Sequence, residues 1–391
     1  MRILIAADLY WPTINGVATF ARNLARGLAN EGHEVIVIAP SQTGPASVEV
    51  DGNYRIYRVT AVPLPLYMNF RIALNPRRAV ARIIDEFQPD IIHIQNLMAV
   101  GQATIAYGKK AEIPIVATNH AMSENLIEKM RVLVPISRPI NYILKEYGKR
   151  FHLKADYVTM PTQSALDMFV ESARPNIPLE AVSNGIDLSQ FRPLKAPVEI
   201  YKKYNLPTDT PIVTYVGRLD GEKHIGVLLR AFAEIADHSA HLLLVGEGAE
   251  EDRLKQQAED LEISERTTFT GRVSDEDLAL LHRVGTVFCM PSPAELQSLA
   301  TLEAMASGKP VVAVEAGALP ELCHDKENGF LCETDDADDM TDKLNVILGD
   351  KTMQQRFSKE SLAIAAKHDL KYTIARFLAI YSDLIDAKKA E

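Results

Sequence analysis

Glu295 and Glu303, separated by seven residues in the run PSPAELQSLATLEAMASGKPVVA, are the strongest chemical signal in the chain. The apolar, strand-like run Val287–Met290 precedes them, and a helix is expected from about Ser298. A carboxylate just ahead of a helix start sits among backbone N–H groups that lack intrahelical partners, a natural site for polyols and phosphates. A second carboxylate in the first turns can reach back toward a ribose, whose vicinal hydroxyls call for a bidentate acceptor. The plain alternative is one capping carboxylate and one surface carboxylate.

Arg218 and Lys223 lie on the loop VGRLDGEK, just beyond the apolar run Pro211–Val216. Two cations there can stabilise a diphosphate leaving group without a metal, Arg as a planar fork and Lys as a point charge. As bare sequence they also read as solvated loop charges. Gly16 opens a helix after the loop Asp8–Asn15. With no side chain it lets a phosphate or sugar approach the helix N-terminus, or it is simply a helix-start glycine. His120 ends the strand-like IVATNH, where histidines are commonly structural. No G-x-G-x-x-G follows the first strand, which argues against a nicotinamide or flavin dinucleotide.

The elements that must carry these residues fall into two series. Arg2–Ala7, Glu34–Ala39, Ile91–Ile94, Ile115–Thr118 and Tyr157–Met160 read as buried parallel strands with room for crossover helices between them. A second series reads Pro211–Val216, His241–Val245, Thr267–Thr270, Val287–Met290 and Val311–Val314, alternating with helical patterns such as Gly226–Ile235 and Asp277–Leu281. Prolines mark a linker near Phe191–Pro197. Lys371–Ala387 reads as an amphipathic helix. The expected organisation is a domain at 1–192, a second at 193–368, and a helix at 369–391 that packs back on the first. The acidic run Asp335–Asp342 reads as a solvated helix start.

Composition narrows the function. The 391 residues exceed one ordinary core, and 47% hydrophobic with 24% charged residues is normal globular usage. No apolar run is long enough to span a membrane, and the N-terminus runs straight into a strand pattern without a cleavage-type region. Cys289, Cys323 and Cys332 lack metal-ligand spacing, which suits a reducing cytoplasm. The net charge of −10 combines +3 over residues 1–200 with −13 over 201–391. No strongly basic face is available for nucleic acid.

The motifs in order are NGVA at Asn15–Ala18, TNH at Thr118–His120, SNGIDLSQFRP at Ser183–Pro193, YVGRLDGEKH at Tyr215–His224, VGEG at Val245–Gly248, the paired-glutamate helix, and GALPEL…NGFL at Gly317–Leu331. In that order they resemble the family-4 retaining glycosyltransferases. The resemblance implies a GT-B fold: an α/β chain of two Rossmann-like doubly wound domains facing across a cleft. It implies that Arg218 and Lys223 hold the donor pyrophosphate, Glu303 the ribose and Glu295 the donor sugar. His120 would lie beside the donor sugar. Catalytic roles are therefore expected at His120, Glu295, Arg218 and Lys223. Donor contacts are expected at Gly16, Arg218, Lys223, Arg272, Val273, Glu295, Leu296, Gln297, Ser298, Leu299 and Glu303, with base choice depending on the backbone around Gly271–Val273. Relatives often carry Gly-Gly where this chain has Asn15-Gly16, a His-x-His pattern where Gln95 stands, and E-G-F-G-L where it reads Glu295-Leu296-Gln297-Ser298-Leu299.

Residues 119–155 carry seven cations against three acids, interleaved with aliphatic residues and tyrosines and broken by Pro135 and Pro139. Such a segment suits an interfacial helix on anionic lipid, or an ordinary crossover helix packed on the first sheet. Lys129, Arg131, Lys145, Lys149 and Arg150 are the expected membrane and acceptor contacts. NHAMSENLIEKM resembles the corresponding segment of diacylglycerol glycosyltransferases. The sequence thus reads as a metal-independent retaining hexosyltransferase without a cofactor, using a nucleotide-sugar donor, most naturally UDP-glucose, and a lipid hydroxyl such as diacylglycerol. GDP-mannose or a soluble sugar acceptor is the alternative, a non-catalytic nucleotide-sugar-binding module the alternative of another class. A cytoplasmic location, extending to the inner face of the plasma membrane, completes the expectation.

Overall fold

The computed structural model describes residues 1–13, 15–63, 70–120, 146–173 and 176–390. The chain forms two compact units, Met1–Gly185 with Leu370–Glu391, and Ile186–Asp369. The division falls before the expected boundary at 192/193. Phe191, assigned to a linker, is buried with Ile186 in the core of the second unit, so the chain commits to that core before its prolines arrive.

In the first unit, β1 (Arg2–Ala6) lies between β2 (Glu34–Pro40) and β7 (Ile91–Ile94), parallel to both. β8 (Ile115–Thr118), β9 (Tyr157–Met160) and β10 (Leu179–Ala181) extend the sheet beyond β7 in parallel. Both faces of β1, β2, β7 and β8 are covered, which is why they read as near-continuous apolar runs. Beyond β2 lie β4 (Tyr54–Val59) and an antiparallel edge, β3 (Ser47–Asp51). Val48 and Val50 on that edge face solvent. A short ribbon pairs β5 (Ala61–Pro63) with β6 (Arg71–Ala73). The helix Gly16–Asn30 starts at Asn15, whose Oδ1 accepts the Ala18 N–H at 2.8 Å, and buries Phe20, Leu24 and Leu28. The last helix, Leu370–Ala390, buries Ile374, Phe377, Ile380 and Tyr381 in the same core. Each such side chain contributes about 1.5–3 kcal/mol.

The second unit is a six-stranded, wholly parallel sheet: β13 (Thr267–Phe269), β12 (His241–Val245), β11 (Ile212–Val216), β14 (Val287–Met290), β15 (Val311–Val314), β16 (Gly329–Cys332). The chain runs outward from β11 to β13, then crosses back to lay β14 on the other side of β11. The order therefore reverses between β11 and β14, and loops leaving the C-terminal ends of those two strands diverge from a crevice. The helix Ala337–Gly349 begins at Asp336, which caps it by accepting the Asp339 N–H at 2.9 Å, so the acidic run is a helix start.

Candidate active site

The loop after β11 carries Arg218 and Lys223; the loop after β14 carries Glu295. Both open at the point of strand reversal, and Lys223 Nζ lies 2.6 Å from Glu295 Oε1. The two side chains are only 14% and 12% exposed, which removes the reading of Lys223 as a solvated loop charge. The Arg218 guanidinium is clasped by Asp220 on one nitrogen and Glu222 on another. Sequence reasoning passed over Glu222, which is buried; its offset of four from Arg218 within the same loop was the available signal. Two cations and three partner carboxylates thus stand at one mouth of the sheet, prearranged rather than swung in from solvent.

The flanking motifs explain how the loops hold their shape. VGEG after β12 packs backbone against backbone on the β11 loop: Gly217 N–H donates to Val245 O at 3.0 Å and Leu219 N–H to Glu247 O at 3.0 Å. A Cβ on Gly246, whose φ is 138°, would stand 2.0 Å from Gly217 O, so only glycine fits. GALP braces the other loop. Ala318 N–H donates to Glu295 O at 2.9 Å, and Gly317, at φ 56°, comes so close that a Cβ would lie 2.6 Å from that same oxygen.

The helix after Glu295 runs Leu299–Ala306, and its cap is Ser298, whose side chain accepts the Thr301 N–H at 3.3 Å. Glu295 is therefore not the capping carboxylate that the plain reading allowed. Gln297, Ser298 and Leu299 are buried, and Leu296 is half-buried. Glu303 sits one helical turn in, 9% exposed, and its Oε2 accepts a hydrogen bond from His282 Nε2 at 3.2 Å. Nothing in the sequence singled out His282, which occupies an apolar-face position of the helix Asp275–Val284. Arg272 is exposed and Val273 half-buried in the turn after β13, where Gly271 O accepts the Gly246 N–H at 3.2 Å. The turns following β11, β12, β13 and β14 share one edge of the sheet, because the strands are parallel.

In the first unit, Gly16 is exposed at the helix start, while the Asn15 side chain is occupied as the cap. His120 follows β8. Its Nε2 lies 2.8 Å from Gln95 Oε1, and its ring packs on Phe20 with centroids 5.0 Å apart. Burial, then the neighbouring His152, pushes the His120 imidazole down to about 3, so it is neutral at physiological pH. His93, wholly buried on β7, is likewise held at about 3 by burial and by His120. Asp8 accepts the Val100 and Gly101 N–H groups at 2.7 and 3.0 Å, yet burial outweighs those bonds and lifts its carboxyl to about 6. Of the expected membrane contacts, Lys129, Arg131 and Lys145 lie outside the described residues. Lys149 pairs with Glu146 at 2.7 Å, and Arg150 is exposed on the same helical segment, which buries Phe151 and His152. Among the described residues no helix is long and apolar enough to cross a membrane.

A glycosyltransferase family 4 model matches residues 14–190, and a glycosyl transferases group 1 model matches residues 198–363. The chain belongs to the family-4 glycosyltransferases, with the GT-B fold. Its similarity is 29% identity over 340 residues to the alpha-monoglucosyldiacylglycerol synthase of Streptococcus pneumoniae, covering 85% of this chain and 75% of that protein. A GDP-mannose-dependent alpha-mannosyltransferase of Mycolicibacterium smegmatis is 27% identical over 337 residues, covering 86% and 85%. Among solved structures, the sucrose-phosphate synthase of Thermosynechococcus elongatus superposes with a TM-score of 0.80 at 22% identity over 99% of both chains. Anabaena HepE, in complex with UDP and glucose, does so at 0.73 and 19%, over 98% of this chain and 100% of that one. At these identities the structural matches define the fold.

Proposed function

We propose that this chain is a retaining, metal-independent α-hexosyltransferase that moves glucose from UDP-glucose to a membrane-lipid hydroxyl such as that of diacylglycerol. The observation that carries the reading is the Lys223–Glu295 contact at the strand reversal, with Arg218 on the same loop and Glu303 one helix turn beyond. In this reading Arg218 and Lys223 hold the donor pyrophosphate, Glu295 the sugar hydroxyls and Glu303 the ribose. Leu296, Gln297, Ser298 and Leu299 line the donor, and the backbone at Arg272 and Val273 meets the base.

The chemistry is a displacement on one face of the sugar. The anomeric C–O bond to the diphosphate breaks as the bond to the acceptor oxygen forms, and the acceptor proton passes to a diphosphate oxygen. The two cations stabilise the charge that accumulates on the leaving group and so take the part a metal would otherwise play. His120, neutral, offers a hydrogen bond rather than a charge.

The lipid acceptor rests on the likeness to the monoglucosyldiacylglycerol synthase and on the basic, aliphatic character of residues 119–155. Charge attraction there would seat the enzyme on the inner face of the plasma membrane. The second reading, mannosyl transfer from GDP-mannose, is favoured by the mannosyltransferase at similar identity. Thermal shift with UDP, GDP and ADP, followed by turnover on diacylglycerol vesicles in EDTA, tests the proposal. Stabilisation by UDP with UDP release only when acceptor is present is expected. Stabilisation by GDP alone overturns the donor, and tight binding without turnover on any acceptor marks a binding module. Reversing Lys145, Lys149 and Arg150 to glutamate should weaken vesicle binding while leaving nucleotide affinity intact.

A further inference from the structure

His282 is the least accounted-for polar group near the donor residues. It lies on the helix Asp275–Val284 with its side chain completely shielded from solvent, between the rings of Phe191 and Phe288 at centroid distances of 5.6 and 6.0 Å. Its Nδ1 has no hydrogen-bond partner, and its Nε2 points to a single group, Glu303 Oε2, at 3.2 Å. Enclosing an imidazole among aromatic rings is unfavourable unless its polar atoms are matched, and here one of the two is not. Packing alone would be served better by leucine or phenylalanine at this position. The one interaction that the histidine gains is with the carboxylate of the paired-glutamate helix.

We infer that His282 is a positioning residue for Glu303: by occupying Oε2 from the buried side it turns Oε1 outward as the acceptor for a ribose hydroxyl. This rests on the reading of Glu303 as the ribose contact. A glutamate on a helix has three rotatable side-chain bonds, and a carboxylate satisfied on one oxygen has only one orientation left for the other. The arrangement makes nucleotide recognition sensitive to the sugar of the nucleoside rather than to its base. It also ties the ribose contact to Phe191, in the segment that enters the second unit.

The experiment compares the affinities of UDP, 2′-deoxy-UDP and 3′-deoxy-UDP by calorimetry on the full chain. The wild type should prefer UDP to at least one deoxy analogue by about tenfold, the scale of a hydrogen bond to a charged group. Glu303→Gln and His282→Phe should both bring that ratio close to unity. His282→Gln places an amide N–H where Nε2 stood and should restore it. His282→Asn places its amide at the Nδ1 position and should not, which supplies a second, polar variant should the phenylalanine substitution fail to fold. A ratio unchanged in a folded His282→Phe or His282→Asn overturns the positioning role, whatever happens to absolute affinity or stability. A wild type that binds UDP with no ribose preference overturns it as well, while leaving the pyrophosphate site standing. Failure of UDP, GDP and ADP alike to bind the wild type overturns the proposed function itself, and the role of His282 falls with it.

Discussion

Tyr381 and His93 meet 2.6 Å apart, phenol oxygen to Nδ1, although 288 residues separate them in the chain. The other ring nitrogen of His93 lies 2.7 Å from Thr118 Oγ1, which in turn lies 2.7 Å from Thr159 Oγ1. Phe377, one turn before Tyr381, sets its ring 4.9 Å from His93 and 6.0 Å from Phe20, the ring that also packs on His120. The last helix thus closes a buried polar chain across β7, β8 and β9. Removing the phenol oxygen in Tyr381→Phe leaves His93 Nδ1 without its partner and should cost about 1–3 kcal/mol. Urea unfolding measures this, and an unchanged midpoint would show that the contact contributes nothing.

Replacing Lys223 with alanine removes a proposed pyrophosphate ligand and strands Glu295 without its cation. UDP affinity should fall by roughly tenfold or more. Arg218→Lys keeps the charge but loses the fork gripped by Asp220 and Glu222, and should lose affinity too, since the two cations are not interchangeable at such a site. Titration calorimetry with UDP reads both, and wild-type affinity in either variant would displace the pyrophosphate site.

Gly317→Ala places a methyl group against Glu295 O and forces a side chain onto a φ of 56°. The β14 loop must shift to relieve the contact, and a displacement of about 1 Å at a reacting centre is enough for roughly a hundredfold loss. The expected result is a drop of that order in kcat/KM for sugar transfer with a folded protein by circular dichroism. Unaltered kinetics would mean that the loop carrying Glu295 is not held by this glycine.

The first unit should be acid-sensitive. His93 and His152 are buried and held at about 3 and about 4, chiefly by desolvation, against an ordinary value of 6.5. The unfolded chain therefore binds more protons than the folded one between those values and about 6.5. Stability is fully present above about 6.5 and is lost as pH falls through the window, by roughly 8 kcal/mol in all. Asp8 works the other way. Its carboxyl, raised from 3.8 to about 6, favours the fold when protonated, so its contribution declines as pH climbs between those values and is level above them. Two imidazoles outweigh one carboxyl, and denaturant midpoints should fall between pH 6.5 and 4.5. His93→Gln cannot ionise and should flatten that dependence; an equally steep fall in the variant would exclude His93 as its source.

Much of this architecture was readable before the structure, for a physical reason. Strands buried on both faces, such as Val287–Met290 and Val311–Val314, announce themselves as apolar runs, and the helix Gly16–Asn30 shows its stripe at Phe20, Leu24 and Leu28. The edge strand Ser47–Asp51 did not, because Val48 and Val50 face water and the strand owes its existence to pairing with Tyr54–Val59. The site divided along the same line. The loop cations and the two glutamates stand out by type and spacing, and Glu222 offered its offset of four from Arg218, whereas His282 matters through a partner on another helix, and pairing of that kind leaves no local trace. The motifs VGEG and GALP were visible as text, but their work, backbone pressed on backbone, is visible only in three dimensions.

The first unit is discontinuous, closed by Leu370–Ala390, while the second is one continuous stretch of chain. On the ribosome, therefore, the second unit has all its residues in hand while the first still waits for its sealing helix. Until Phe377 and Tyr381 emerge, the surface around Phe20 and His93 stays uncovered, and a nascent chain stalled anywhere before them presents that apolar patch to chaperones and proteases.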